Sequence, residues 1–517
     1  MTSPQTPAPM FQPTPEQTAI CGASGRIVKA NAFAGTGKSS TLKHLARTWP
    51  QSKMLYIAFN KAIKDEAVKS FPGNVKAMTG HGLAYASKGR LYGGAGQKLQ
   101  GDIKPFHIKD LLVKSGSLKS VPADAENLYA GRVIETVKNF LVSRHEELSP
   151  RHVVLGGSPA EREMSPTAIL EDAKRVWAEM QEINSPIPML HDGYFKLYQL
   201  SRPRLPYDFV LVDEAQDVNP TLQAIIEAQE QTRIFLIGDT HQAIYSFRGA
   251  NNAMELMRAD QAFGLTGSFR FGPAVAEVAN QLLSIKGESL TLRGLGAPTE
   301  LREIDTEKEG FALVSRGNAS LFHQAVQALD QDRPFAFVGP LGNYRLDLFL
   351  DTYRLMSGDK RGVRDPFIKS FTQFDDLANY GEAMDDREVK GRVKLVTQYS
   401  GRIPELIDAI TAKSIPWGEQ GACDLPPNCV VLSTAHKSKG LEFPNVVLAD
   451  DYMSLLDDED NVISIGDMSE SDVEEVNLQY VAATRAQKAL QLSEGLDAFL
   501  EAKRVMDETS RPRMAAG

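Results

Sequence analysis

Two short stretches of this 517-residue chain carry residue types suited to phosphoryl chemistry. The first, NAFAGTGKSS, runs from Asn31 to Ser40. Its Gly35 and Gly37 let backbone N–H groups approach a phosphate, Lys38 would reach the outer phosphates of a nucleotide, and the Ser39 hydroxyl would hold Mg2+. The candidate phosphate contacts are therefore Ala34, Gly35, Thr36, Gly37, Lys38, Ser39 and Ser40. The pattern G-x-x-x-x-G-K-[ST] fails only at Ala32, a small residue that still permits a tight turn. The second stretch, YDFVLVDEAQD, is an apolar run from Phe209 to Val212 that ends in Asp213 and Glu214. Carboxylates delivered at the C-terminal end of a buried parallel strand lie where α/β sheets bind ligands. There Asp213 would hold Mg2+ through water, and Glu214 would polarise an attacking water.

The elements that must position these groups follow from the surrounding pattern. GRIVKANAFAGTGKSSTLKHLARTWP reads as strand, glycine-rich turn and helix, with Leu42 and Leu45 on one helical face. Lys38 and Asp213 lie 175 positions apart, farther than a minimal nucleotide-binding fold requires, so a sizeable insertion separates them.

Composition sets wider bounds. The chain is 42% hydrophobic and 24% charged, an ordinary globular balance whose length suits two to four domains. No apolar run approaches the roughly 20 residues of a membrane span. The proline-rich start, MTSPQTPAPMFQPTP, lacks the layout of a signal peptide and reads as a disordered leader over residues 1–13. Three cysteines, Cys21, Cys423 and Cys429, are too few for a disulfide framework and read as thiols of a reducing cytoplasm. A net charge of −9 argues against a general polyanion binder, although a local basic groove can coexist with acidic outer surfaces.

Further along the chain come VDEAQDVNP, IFLIGDTHQAIYSFRGA, GSFRFGP, LSTAHKSKGLEFPNVVLADD and EVNLQYVAATRAQKAL. In this order they resemble the motif set of superfamily 1 helicases of the UvrD/Rep/PcrA type, from about Thr14 to Ala489. HDGYFKLYQLSRPRL, SFRFG, LVSRGNASLF and YSGRIPELI add a resemblance to the helicase region of the eukaryotic F-box DNA helicases. The likeness implies an α/β fold of two RecA-like P-loop motor domains with parallel sheets, each carrying a mainly helical insertion. It implies that Gln17 bonds the adenine edge, Phe269 stacks on the adenine ring, Gln242 senses the γ-phosphate and Glu442 contacts the nucleotide's sugar or phosphate side. Arg270 and Arg485 are implied as arginine fingers from the second motor domain. For single-stranded DNA, aromatic faces and phosphate-binding groups are implied at Phe59, Asn60, Thr79, His81, Tyr245, Phe247, His436 and Lys437. Phe247 stands where close relatives of UvrD have tryptophan.

These readings divide the chain into a first motor domain at 1–84 and 199–264, a helical insertion at 85–198, a second motor domain at 265–346 and 425–517, and a small insertion at 347–424. The expected enzyme hydrolyses ATP with Mg2+ to move 3′→5′ on single-stranded DNA and at single/double-strand junctions, in repair or recombination, as a monomer. The expected source is bacterial or phage, with a cytoplasmic, membrane-free location and a motor lacking both an F-box and an appended nuclease. Two other readings stand beside it: a translocase that strips proteins such as recombinase filaments from single strands, and the motor subunit of a nuclease-linked defence complex.

Overall fold

The computed structural model describes residues 12–93, 98–122, 125–156, 159–245, 253–383, 386–418 and 421–510. Phe247 and most of the expected leader lie outside the described residues. The chain divides into two compact units, one holding the residues up to Ala32 and Gly37–Leu265, the other Phe33–Thr36 and the residues from Thr266 on. Each is mixed α/β with a six-stranded parallel sheet.

The first sheet contains β1 (Ile27–Ala32), β2 (Met54–Ala58), β3 (Val75–Thr79), β4 (Phe209–Val212), β5 (Arg233–Gly238) and β6 (Gln261–Leu265). Their spatial order is β3-β2-β4-β5-β1-β6, every neighbouring pair parallel. Strands covered on both faces must be apolar throughout, and all residues of β2 and β4 are buried. Alternate residues then serve opposite cores. Tyr56 and Leu211 face a cluster with Leu42 and Leu45 of the helix Lys38–Thr48. Leu55, Ile57, Val210 and Val212 join a second cluster.

That second cluster extends through the insertion between β3 and β4. Tyr129, Val133 and Phe140 of the helix Glu126–Leu141, and Ile169 and Val176 of the helix Pro166–Gln181, belong to the same continuous core as the sheet residues. The insertion thus covers one face of the sheet. The insertion's last helix, His191–Leu200, carries Lys196, which is fully buried. Its side-chain nitrogen lies 2.9 Å from Ser143 O, 2.7 Å from Gln199 Oε1, within bonding reach of His145 O and 4.4 Å from the centre of the Phe140 ring. These bonds tie the helix to the segment following Glu126–Leu141.

The second sheet contains β7 (Glu300–Leu301), β8 (Phe311–Ser315), β9 (Phe335–Phe337), β10 (Val430–Thr434), β11 (Phe443–Leu448) and β12 (Ala486–Gln491) in the order β7-β12-β11-β8-β10-β9. Phe311, Leu313, Phe335, Val430 and Leu432 form a core with Leu321 and Phe322 of the helix Asn318–Asp330. Leu395, Val396, Ile403 and Ile410, from helices between β9 and β10, share it. A small satellite core gathers Leu355, Val363, Ile368, Leu377 and Val389. Among the described residues no helix is long and apolar enough to cross a membrane.

Burial lowers the Lys196 pKa to about 7, with the Glu146 charge opposing the shift. The unfolded chain therefore binds a proton that the folded chain releases between about pH 7 and the ordinary lysine range, so stability rises with pH across that window. Lys196→Met should be the less stable protein at pH 8 by about 1–3 kcal/mol, because Ser143 O and His145 O lose their donor. The gap to wild type should widen by about 1.4 kcal/mol for each pH unit crossed towards pH 10. Urea unfolding at several pH values checks both; a gap that narrows with pH would show that the amine is not held in its neutral form.

Candidate functional site

The C-terminal ends of β1, β4 and β5 bring the phosphate-loop and acidic residues together. After β1 the chain makes a turn in which Gly35 and Gly37 have φ of 73° and 82°. Gly37 is the N-cap of the helix Lys38–Thr48 and has no side-chain cap. Both glycines occupy the left-handed region that side chains rarely adopt, which explains their residue type. The Thr36 hydroxyl closes the turn on Phe33 O at 2.7 Å.

Lys38 Nζ lies 3.0 Å from Glu214 Oε2. The Ser39 hydroxyl donates to Asp213 Oδ2 at 3.0 Å, and the buried Tyr56 hydroxyl donates to the same oxygen at 2.7 Å. Burial works against the Lys38 ammonium, but Glu214, Asp239 and Asp213 outweigh it and hold the group above the usual lysine range. Burial and the adjacent Glu214 charge push the Asp213 carboxyl up, while Lys38, Tyr56 and Ser39 pull it back. Tyr56, pushed well above the ordinary tyrosine range by burial and by Asp213, remains a donor.

Glu214 itself sits at φ 50°, ψ 48°. A non-glycine residue held in this region costs about 1–2 kcal/mol. Here its N–H donates to Asp213 Oδ1 at 3.0 Å and its carboxylate meets both Lys38 and Gln216 Nε2, the latter at 2.8 Å. Gln216 also accepts the Asp239 N–H at 2.9 Å, and Gln242 Nε2 donates to Asp239 Oδ2 at 2.8 Å. The candidate sensor Gln242 is thereby connected to Glu214 through side chains from two strand ends. Gln17 forms a capping box with Thr14, its Oε1 accepting the Thr14 N–H at 3.0 Å. Its Nε2 would lie 3.1 Å from a Cβ placed on Gly37, so the amide adjoins the phosphate loop.

This donor set fits a magnesium nucleotide. Among the described residues no group of three or more His, Cys, Asp and Glu could hold a metal ion. Mg2+ is ordinarily held by one or two protein oxygens together with substrate phosphates, as a hydroxyl and a carboxylate 3.0 Å apart permit.

The same unit holds the candidate strand contacts Phe59, Asn60, Thr79, His81 and Tyr245. Phe59 and Tyr245 stack at 5.5 Å with 18° between their planes. They border a cavity of about 260 Å³ that also touches His81, Asp192, Asp213 and Glu214. Asn60, two residues past β2, and Thr79, the last residue of β3, cap the next helices, accepting the N–H of Ile63 at 2.9 Å and of Gly82 at 3.0 Å. A capping hydroxyl or amide retains donor hydrogens, so this role is compatible with a phosphate contact.

In the second unit Arg270 and Glu442 form an ion pair at 2.7 Å, and Arg270 Nη1 donates to Thr484 O at 2.9 Å. Burial opposes the Glu442 charge, yet Arg270, Gln487 and Arg485 outweigh it and keep the carboxyl below its usual range. Arg485 is almost entirely buried: Nε donates to Val481 O at 2.7 Å, Nη1 to Leu441 O at 3.2 Å and Nη2 to Thr484 Oγ1 at 3.0 Å. The Phe269 ring is exposed. His436 and Lys437 occupy the short helix Ala435–Ser438, with Lys437 Nζ 2.9 Å from the centre of the Tyr344 ring. Burial lowers the Lys437 pKa to about 8. Sequence reasoning missed Tyr56, Gln216, Asp239 and Asp192. The clustering of Gln216 and Asp239 with acidic strand ends was available as a signal; Tyr56 and Asp192 had none.

Residues 190–263 match the family model of the UvrD/REP helicase N-terminal domain, and residues 267–495 match that of the UvrD-like helicase C-terminal domain. Over 506 residues the chain is 33% identical to F-box DNA helicase 1 of Gallus gallus, covering 92% of this chain and 48% of that protein. Over 500 residues it is 30% identical to F-box DNA helicase protein 1 of Schizosaccharomyces pombe, covering 91% and 56%. A shorter match, 34% identical over 87 residues, joins it to DNA helicase IV of Escherichia coli. The chain spans about half the length of the two F-box relatives. Those long matches are eukaryotic and lend no support to the expected bacterial or phage source.

The bonding of Arg485 makes it structural whatever else it does. Arg485→Ala should lower stability by about 3 kcal/mol, measured by denaturant unfolding; an unchanged midpoint would remove the side chain from the core of its unit.

Proposed function

Because the chain belongs to the UvrD-like helicase family, we propose that it is an ATP-hydrolysing DNA motor, with each six-stranded unit a RecA-like motor domain. The observation that carries this reading is the set of Lys38, Ser39, Asp213 and Glu214 at adjoining strand and helix ends. Lys38, drawn to the outer phosphates of ATP, releases Glu214 Oε2, which Gln216 keeps in place to orient a water. Ser39 and Asp213 would hold Mg2+, which would supply positive charge to the nucleotide's phosphates. Gln17 faces the adenine edge and Phe269 its ring. Gln242 reports on the γ-phosphate through Asp239 and Gln216. Arg270 and Arg485 are assigned to transition-state charge, and Glu442 orients Arg270.

The strand is single-stranded DNA, met by Phe59, Asn60, Thr79, His81 and Tyr245 in the first unit and by His436 and Lys437 in the second. Phe247 is assigned by motif position alone. Movement is 3′→5′, with strand separation at single/double-strand junctions, in repair or recombination, by a monomer. Recombinase filaments or a nuclease are the protein partners this activity would engage.

The deciding experiment measures ATP hydrolysis with and without single-stranded DNA, then unwinding of duplexes with 3′ or 5′ tails. Stimulation by DNA and preference for a 3′ tail are expected; hydrolysis indifferent to DNA would defeat the reading, and preference for a 5′ tail would reverse the direction. Lys38→Ala should reduce DNA-stimulated phosphate release by about a hundredfold or more while leaving the circular dichroism spectrum unchanged. Turnover near the wild-type rate would remove the loop from the active site.

A further inference from the structure

Asp192 places a carboxylate on the face assigned to a polyanion, where unshielded negative charge works against binding. It is about half-exposed and lines the same cavity as Phe59 and Tyr245. Its Oδ1 is 2.9 Å from His81 Nε2. We propose that Asp192 is a positioning residue for nucleic acid, holding the His81 ring so that Nδ1 is the nitrogen presented to the strand; this rests on the motor function proposed above.

A histidine one residue into a short helix can turn about two side-chain bonds. A carboxylate on one ring nitrogen fixes both the tautomer and the ring orientation, as it does for histidines in metal and catalytic sites. The His81 bond commits Nε2–H to Asp192, so that Nδ1 is left as an acceptor for a base N–H. An exposed ion pair alone is worth little, so the holder must itself be rigid. Asp192 meets that condition. It lies in the first turn of His191–Leu200, where the helix dipole favours a negative charge. Phe195 of that helix packs against the His81 ring at 4.8 Å, with Tyr194 edge-on at 6.2 Å. Gly193 lets the first turn pack tightly, because a Cβ there would come within 2.5 Å of Met189 Sδ. One turn on from Asp192, the buried Lys196 anchors the helix through Ser143 O and His145 O. The carboxylate is therefore presented from a fixed platform, and the cost of its charge is offset by an imidazole already oriented towards a base edge.

The test is a double-mutant cycle read by fluorescence anisotropy with dye-labelled oligothymidine. Asp192→Ala and His81→Ala should each weaken binding by about fivefold, and the double variant should be no weaker than either single one. Asp192→Asn keeps an acceptor oxygen and should recover to within about twofold of wild type. Tighter or unchanged binding in Asp192→Ala, losses that multiply in the double variant, or an Asp192→Asn variant as weak as Asp192→Ala would each overturn the proposal. Wild-type binding and DNA-stimulated hydrolysis are measured first. Their absence defeats the motor reading and this one together, whereas their presence with an unaltered Asp192→Ala defeats this one alone.

Discussion

A buried ammonium has to be surrounded by negative charge, and in the first unit that requirement organises everything near Lys38. Its stabilising carboxylates come from the ends of two strands, Glu214 and Asp213 after β4 and Asp239 after β5. Lys38 itself follows β1. Only a parallel sheet puts three such ends on one edge. The sheet order, with β5 between β4 and β1, brings residues more than 170 positions apart within bonding distance. The left-handed Glu214 backbone is part of the same arrangement, because it lets one residue serve both the lysine and Gln216.

The side proposed to face the strand draws on polar groups that already serve the fold. Asn60 and Thr79 satisfy helix N–H groups that would otherwise lack a partner, and they do so at strand ends where a phosphate could also be met. The cavity bounded by Phe59 and Tyr245 reaches Asp213 and Glu214. The aromatic pair and the two carboxylates therefore border one cavity, so under the proposed function a strand seated on the rings would lie beside the groups assigned to hydrolysis.

The loop around Lys38 and the Phe209–Glu214 strand were legible because their signals are local: glycines where left-handed backbone is needed, and an apolar run that stops at two acids. The parallel α/β class came from the resemblance to UvrD-type helicases. Tyr56 was not legible, since a tyrosine inside MLYIA looks like any core aromatic until its hydroxyl is seen on Asp213. Arg485 was implied as an arginine finger by its place in ATRA, and those neighbours do not reveal that its guanidinium also bonds the carbonyls of Val481 and Leu441. Helical periodicity in residues 85–198 marked apolar faces without naming what they cover. That those faces complete the core of the first sheet depends on pairings distant in sequence, which no spacing rule encodes.

The order in which the first sheet is completed has a consequence for biosynthesis. The two neighbours of β1 are β5 and β6, which end at Gly238 and Leu265. A ribosome must therefore release more than two hundred residues before the strand bearing the phosphate loop acquires either lateral hydrogen-bonding partner. Until then both hydrogen-bonding edges of the strand are open in the nascent chain, the condition that favours mispairing.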